Sequence, residues 1–207
     1  GGAINGKRAC SFGDIATTSF FPAKPLGCYG DGGAMFTDDA DLAERLRSMR
    51  VHGEASHRYD NVLVGQNSRL DTLQAAILIE KLSIFDEELE ARQRVADRYS
   101  AALADELVVP RIPDGYTSIW AQYTLLADTG RRDTIQAHLK ERGVPTAIYY
   151  PRPLHRQTAY RHYPTAGELS VSDDLAERAF SLPMHAYLDA DTQATIVEAV
   201  REAVANA

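Results

Sequence analysis

The stretch Ser19-Phe20-Phe21-Pro22-Ala23-Lys24-Pro25-Leu26-Gly27, followed by Gly30-Asp31-Gly32-Gly33, decides how this chain is read. A lysine usually rides on a helix face, where its long stem stays mobile. Here Pro22 and Pro25 restrict the backbone on both sides of Lys24, so the turn aims the side chain. With Phe20 and Phe21 just before it, the amine is expected to lose hydration, which favours its neutral, nucleophilic form. The chemistry that most needs such an amine is Schiff-base formation with an aldehyde, and pyridoxal phosphate is the common biological one. The local pattern is equally compatible with a tight loop whose lysine points at water.

Working outward, the segment from Gly6 to Gly33 is followed by Arg50-Val51-His52-Gly53 and by Asn67-Ser68-Arg69-Leu70-Asp71-Thr72-Leu73-Gln74-Ala75-Ala76-Ile77-Leu78. Farther on come Tyr149-Tyr150-Pro151, Pro153-Leu154-His155-Arg156-Gln157 and Ser181-Leu182-Pro183-Met184-His185. In this order and over essentially the whole chain, these blocks resemble the DegT/DnrJ/EryC1/StrS family of sugar aminotransferases. Those are vitamin B6 enzymes of fold type I that aminate keto groups on nucleotide-linked sugars. The resemblance implies an α/β chain of the PLP-dependent transferase fold type I. It would hold the C-terminal part of a large α/β/α domain (1–83), a connecting long helix (84–109) and a small α/β domain (110–207).

The resemblance also implies roles. Lys24 would form the Schiff base with pyridoxal 5′-phosphate and then carry a proton. Ser19 would contact the cofactor phosphate, and Asn67 would reach across a homodimer to the neighbouring cofactor phosphate. Arg69, Tyr149, Tyr150 and His155 would face the nucleotide-sugar. The amino donor would be glutamate. The motifs around Lys24 and Asn67 most resemble enzymes aminating a 3-keto UDP-N-acetyl-hexuronic acid for bacterial surface polysaccharides, though 4-keto-hexose enzymes share most of them. Dehydrating relatives carry histidine at the lysine position, and Lys24 is a lysine. A non-catalytic scaffold or regulator is the alternative from another class.

The chain opens at Gly1-Gly2-Ala3 without a methionine. On the resemblance, an N-terminal half is expected upstream, with the aspartate that pairs with the cofactor ring nitrogen, a phosphate-binding turn and a stacking aromatic. The 207 residues alone are then expected to bind cofactor weakly, to be inactive, and to leave a sheet edge and apolar faces uncovered.

Composition is that of an ordinary globular protein, 44% hydrophobic and 25% charged. A net charge of -7 argues against a general nucleic-acid or anionic-membrane surface, but leaves room for a local anion site. No apolar run approaches a membrane span and no signal-peptide layout opens the chain, so a cytoplasmic protein is expected. Cys10 and Cys28 read as reduced thiols, and the scattered histidines lack zinc-ligand spacing.

Periodicity predicts strands at 16–21 (buried) and 33–37, and a helix capped by Asp38-Asp39 that runs to about Arg50 with Leu42, Leu46 and Met49 on one face. Helices are expected from Leu70 to about Leu82 and from about Ile84 to Leu107, the second turning Leu89, Val95, Tyr99 and Leu103 inward. Pro110 to Gly115 is a break. Strands follow at 120–127 and 144–150, and helices at 131–142, 172–180 and 191–205. Position alone leaves bland alternatives open. Ser19 suits a backbone bond within its strand, Asn67 suits a helix cap, and the tyrosine pair suits packing. His52 after a helix end and His185 in a loop read as structural, and Arg58 belongs to a loop able to cover a ligand.

Overall fold

The computed structural model of the chain describes residues 1–57 and 59–207; Arg58 lies outside the described residues. The chain divides into two compact units, residues 1–88 with 113–119, and residues 89–112 with 120–207.

In the first unit, β1 (Ala3–Ile4) and β2 (Lys7–Arg8) form an antiparallel hairpin. Asn5 and Gly6 between them both take positive φ, as a two-residue type I′ turn demands. The strands β3 (Ala16–Ser19) and β4 (Gly33–Phe36) pair antiparallel, with Ala16 opposite Phe36 and Ser19 opposite Gly33. The strand expected at 16–21 stops at Ser19, before Pro22, which has no N–H to give a ladder. It is also not buried: its residues alternate between half-buried and exposed, because this sheet has two strands among the described residues.

Helix α1 (Ala40–Arg50) starts at Asp39, whose carboxylate accepts the Leu42 N–H at 2.9 Å, and ends on Arg47 and Arg50, where positive charge suits the helix dipole. Its apolar face stays only half covered, with Met49 41% exposed. Helix α2 (Thr72–Ser83) follows, then α3 (Phe85–Leu103), whose residues from Leu89 onward belong to the second unit. The strand β5 (Tyr116–Thr117) pairs with β1 and completes a three-stranded sheet in the order β2-β1-β5.

The second unit has a closed core. The strand β6 (Tyr123–Leu126) alternates buried and half-buried residues, and it pairs antiparallel with the fully buried β7 (Ala179–Leu182). Around them lie α4 (Arg132–Glu141), α5 (Ser170–Arg178) and α6 (Ala190–Ala205), the last capped by Asp189, which accepts the Thr192 N–H. Val95, Tyr99 and Leu103 of α3 enter this core with Leu125, Leu139, Phe180 and Val200. Burying each such aliphatic or aromatic side chain stabilises the fold by about 1.5–3 kcal/mol. The Tyr99 hydroxyl donates to Pro183 O at 3.1 Å, and burial pushes its phenol well above the ordinary tyrosine range.

Two expectations fail in this unit. Residues 144–150 form no strand, only an isolated bridge between Ala147 and Ser181, since Pro145 cannot join a ladder. The helix expected to reach Phe180 ends at Arg178, and Ala179-Phe180-Ser181-Leu182 is a strand buried on both faces, in which Ser181 is as buried as its apolar neighbours, so exposure does not alternate along it. No helix among the described residues is long and apolar enough to cross a membrane.

The units differ in cover. Among the described residues of the first unit, the buried apolar side chains are Cys28, Leu78 and Phe85, together with Pro25. A groove against β4 and α1, lined by Phe20, Met35, Phe36, Leu46 and Leu70, is left open, and Lys24 and Ser19 are not part of it.

Candidate active site

Lys24 stands on the 13-residue loop (20–32) that joins β3 to β4. The neck is closed by Phe20 N–H donating to Gly32 O and Cys28 N–H donating to Phe20 O, both at 2.8 Å. The Lys24 N–H donates to Phe21 O at 2.8 Å, closing a four-residue turn with Pro22 at its second position, where a fixed φ is favoured. Gly27 is required by close approach: a Cβ there would meet Phe21 O at 2.7 Å, Pro22 O at 2.8 Å and Lys24 O at 3.0 Å. The buried Cys28 thiol lies 3.0 Å from both Phe20 O and Gly30 O. Two α2 side chains grip the same loop. Gln74 accepts the Tyr29 N–H at 2.8 Å and Lys81 donates from Nζ to Gly27 O at 2.7 Å.

The loop therefore holds the Lys24 backbone firmly, as the proline reading requires, but dehydration of the amine is not found within these residues. Lys24 is exposed and Phe21 is 50% exposed, because the bonded face of the turn points inward and carries the side chains outward. Ser19, five positions earlier, is also exposed. Its Oγ accepts the Phe21 N–H at 3.2 Å, which leaves its own O–H to donate.

Asn67 and Arg69 lie in an extended segment, not at the helix start: α2 begins at Thr72 with Asp71 as its N-cap, so Asn67 does not cap it. The segment is tied to the end of α1 by a bridge between Asn67 and Val51 and by Ser68 N–H donating to Arg50 O. Gly53 permits this junction, with φ +77° and no room for a Cβ beside Leu63 O. Arg69 Nε donates to Asn67 Oδ1 at 3.1 Å. Both residues are exposed, and they keep the Asn67 amide protons and the terminal guanidinium protons as free-facing donors. His52, next to Gly53, takes a left-handed φ of 59° and bonds through its backbone to Gln66 O.

In the second unit, Tyr149 and Tyr150 sit on a loop, not at a strand end, with their rings edge to face at 5.7 Å. Together with Arg152, Gln157 and Ser172 they line one cavity of about 670 Å³. His155 falls in a single 3-10 turn (Leu154–Arg156) outside that lining. Its Nε2 lies 3.0 Å from Asp173 Oδ1, and Asp173 also receives Arg156 through Nε at 3.1 Å and Nη2 at 2.7 Å. The Arg156 hydrogen bond holds the Asp173 carboxyl below its ordinary value. Gln74, Lys81, Arg152 and Asp173 escaped the sequence reading, since a polar residue on an amphipathic helix or in a loop resembles any solvated one.

The donor set fits a phosphate-bearing aldehyde: one amine on a rigid turn, a hydroxyl with its proton free, and an amide and guanidinium locked as donors. The sequence pattern of the DegT/DnrJ/EryC1/StrS aminotransferase family matches residues 1–201. The chain is 50% identical over 190 residues to the UDP-2-acetamido-2-deoxy-3-oxo-D-glucuronate aminotransferase of Pseudomonas aeruginosa, covering 91% of this chain and 52% of that protein. A crystal structure of a DegT DnrJ EryC1 StrS aminotransferase from Brucella abortus superposes with a TM-score of 0.93 at 51% identity, covering 97% of this chain and 54% of that one. The structure of S. venezuelae DesV in complex with a ketimine intermediate superposes with a TM-score of 0.92 at 35% identity, covering 98% and 55%. The chain thus spans about half the length of the relatives it matches. On this pattern and this fold, that of the PLP-dependent fold type I aminotransferases, the chain belongs to the DegT/DnrJ/EryC1/StrS aminotransferase family.

Proposed function

We propose that this chain is part of a cytoplasmic, pyridoxal 5′-phosphate-dependent aminotransferase that moves an amino group from glutamate to the keto group of a nucleotide-linked sugar. The substrate is a 3-keto UDP-N-acetyl-hexuronic acid, and the product feeds bacterial surface polysaccharide. The observation that carries the reading is the Lys24 turn, an outward amine on a backbone fixed by its own hydrogen bonds, with the Ser19 hydroxyl at the loop's base. The identity to the Pseudomonas enzyme supports the substrate.

In this reading residues 1–83 are the end of the large domain, 84–109 the connecting helix and 110–207 the small domain. Lys24 Nζ would hold the cofactor aldehyde, while Ser19 Oγ and Asn67 Nδ2 donate to its phosphate, Asn67 from the other subunit of a homodimer. When bound, the cofactor supplies an electron sink that makes proton loss from the carbon bearing the donor nitrogen feasible. Freed from the aldehyde once the incoming donor amine takes its place, Lys24 Nζ would take up that proton and return it, and one base would serve both halves because the second reverses the logic of the first. Arg69 neutralises charge on the nucleotide-sugar, and Tyr149 and Tyr150 offer ring faces and hydroxyls to the sugar or diphosphate. His155 has its Nε2 committed to Asp173, so it offers the substrate only its other ring nitrogen. The thin apolar cover of the first unit fits a surface completed by further chain and by the second subunit.

The test is amination of the 3-keto UDP-hexuronic acid by the full-length protein loaded with cofactor and glutamate. Turnover of that substrate supports the reading. Exclusive turnover of a 4-keto nucleotide-hexose moves the substrate to the other ring position, and a protein that stays colourless with cofactor and aminates neither is a scaffold or regulator.

A further inference from the structure

We infer that Lys81 is a positioning residue for Lys24: a second lysine that never reacts, but pins the reactive turn from the side of α2. The inference rests on the function proposed above for its purpose, though the contacts themselves do not. The loop carrying Lys24 has 13 residues, long enough that its tip would wander unless something outside it held on. Its own hydrogen bonds close the neck and the Phe21–Lys24 turn. The descending limb, Gly27 to Gly30, is held from outside by α2. Lys81 Nζ donates to Gly27 O at 2.7 Å, a contact across 54 residues of sequence, and Gln74 Oε1 accepts the Tyr29 N–H at 2.8 Å across 45.

Gly27 is the point at which such a grip matters. The carbonyl oxygens of Phe21, Pro22 and Lys24 crowd the place where its Cβ would stand, so any displacement of Gly27 is passed to the backbone of Lys24 itself. A cation is the right group for the task. The Gly27 carbonyl faces a half-buried ammonium, and a charge-assisted hydrogen bond is about twice as strong as a neutral one. The same ammonium lies 5.7 Å from the centre of the Tyr29 ring, whose face favours a cation. Gly30 completes the fit, because a Cβ there would meet the Gln74 amide at 3.1 Å. One lysine is thereby occupied with backbone and ring while the other is presented outward.

The experiment compares Lys81→Met, Lys81→Arg and Gln74→Ala with the unaltered full-length protein, first without and then with pyridoxal phosphate. Without cofactor, amide hydrogen exchange is followed at Cys28 and Tyr29. Lys81→Met is expected to speed it by about tenfold or more, the loss of one charged hydrogen bond. Gln74→Ala should act in the same direction, Lys81→Arg should restore most of the protection, and the second unit should exchange as before. With cofactor, borohydride-fixed label at Lys24 should accumulate about tenfold more slowly in Lys81→Met and recover in Lys81→Arg. Exchange at Cys28 and Tyr29 within about twofold of the unaltered protein in Lys81→Met would overturn the inference, as would label on Lys81 itself. If the unaltered protein takes no label at Lys24, the proposed function fails, and exchange alone still decides whether Lys81 holds the turn.

Discussion

Arg69 donates its Nε proton to the side-chain oxygen of Asn67 at 3.1 Å, and that bond fixes what each residue has left to offer. With its oxygen occupied, the Asn67 amide faces outward as a donor, and the guanidinium keeps its terminal N–H groups. The pair is a ready anion site without being a helix terminus. Arg69→Ala is expected to raise KM for the nucleotide-sugar by about tenfold or more, while the affinity for cofactor changes less. Asn67→Asp, which on the proposed role would set a carboxylate beside the cofactor phosphate, should weaken cofactor binding more than Asn67→Ala does. Cofactor titration and steady-state kinetics on the full-length protein check both, and equal effects on cofactor and sugar would contradict the division of roles.

Gly27→Ala forces a methyl against three carbonyl oxygens at 3.0 Å or less, so the Lys24 turn must shift. The expected cost to the stability of the first unit is about 1–3 kcal/mol. Capture of pyridoxal phosphate at Lys24 should fall with it, while Gly130→Ala, which meets no atom within 4 Å but is strained by its φ of +83°, should cost stability in the second unit and leave capture unchanged. Urea unfolding followed by loop-specific exchange measures the first, and reductive labelling measures the second.

Asp173 sets an acid limb on the stability of the second unit. Its carboxyl is held low, first by the Arg156 hydrogen bond, so it binds its proton less readily folded than unfolded. That stabilisation is present in full above the unfolded carboxyl value, about pH 4, and is lost as pH falls through the lower folded value. Trp120, the only tryptophan and 5% exposed in this unit, reports the unfolding by fluorescence. The urea midpoint should drop below about pH 4, and Asp173→Asn should flatten part of that drop. Asp189, held low by Thr192 at the start of α6, supplies a remaining part. An unchanged acid limb in Asp173→Asn would remove Asp173 from the account.

The sequence was most legible where one local cause decides the outcome. Asp39 caps α1 where a capping carboxylate was expected, and Val95, Tyr99 and Leu103 face the core at helical spacing on α3. The strand at Ala179–Leu182 was hidden because a run buried on both faces has no alternation, and α5 leads straight into it. Residues 144–150 looked extended from their β-branched and aromatic content, but Pro145 interrupts the ladder and one bridge is all that forms. At the site, the proline-bounded turn around Lys24 and the presence of a strand on either side of its loop follow from the residues themselves, whereas the register that sets Ser19 opposite Gly33 does not. The grip of Lys81 on Gly27 does not, since it depends on tertiary placement across 54 residues.

Tyr99 separates packing from hydrogen bonding in the second core. Its ring is fully buried, 4.9 Å from the Tyr123 ring, and its hydroxyl reaches Pro183 O. Tyr99→Phe, which loses the hydroxyl but keeps the ring, should cost about 1 kcal/mol plus the penalty of an unsatisfied carbonyl. Tyr99→Ala should cost about 3–5 kcal/mol through the cavity it leaves. Denaturation by urea, read at Trp120, distinguishes the two, and equal losses would show that the ring's packing contributes little.

Of the four lysines in the chain, Lys24 is the amine proposed to take the cofactor aldehyde. Full-length protein incubated with pyridoxal phosphate, reduced with borohydride and digested for mass mapping tests it directly. A phosphopyridoxyl adduct is expected on the peptide containing Lys24, with bleaching of the visible band and loss of both in Lys24→Ala. An adduct confined to Lys7, Lys81 or Lys140, or none at all, would contradict it.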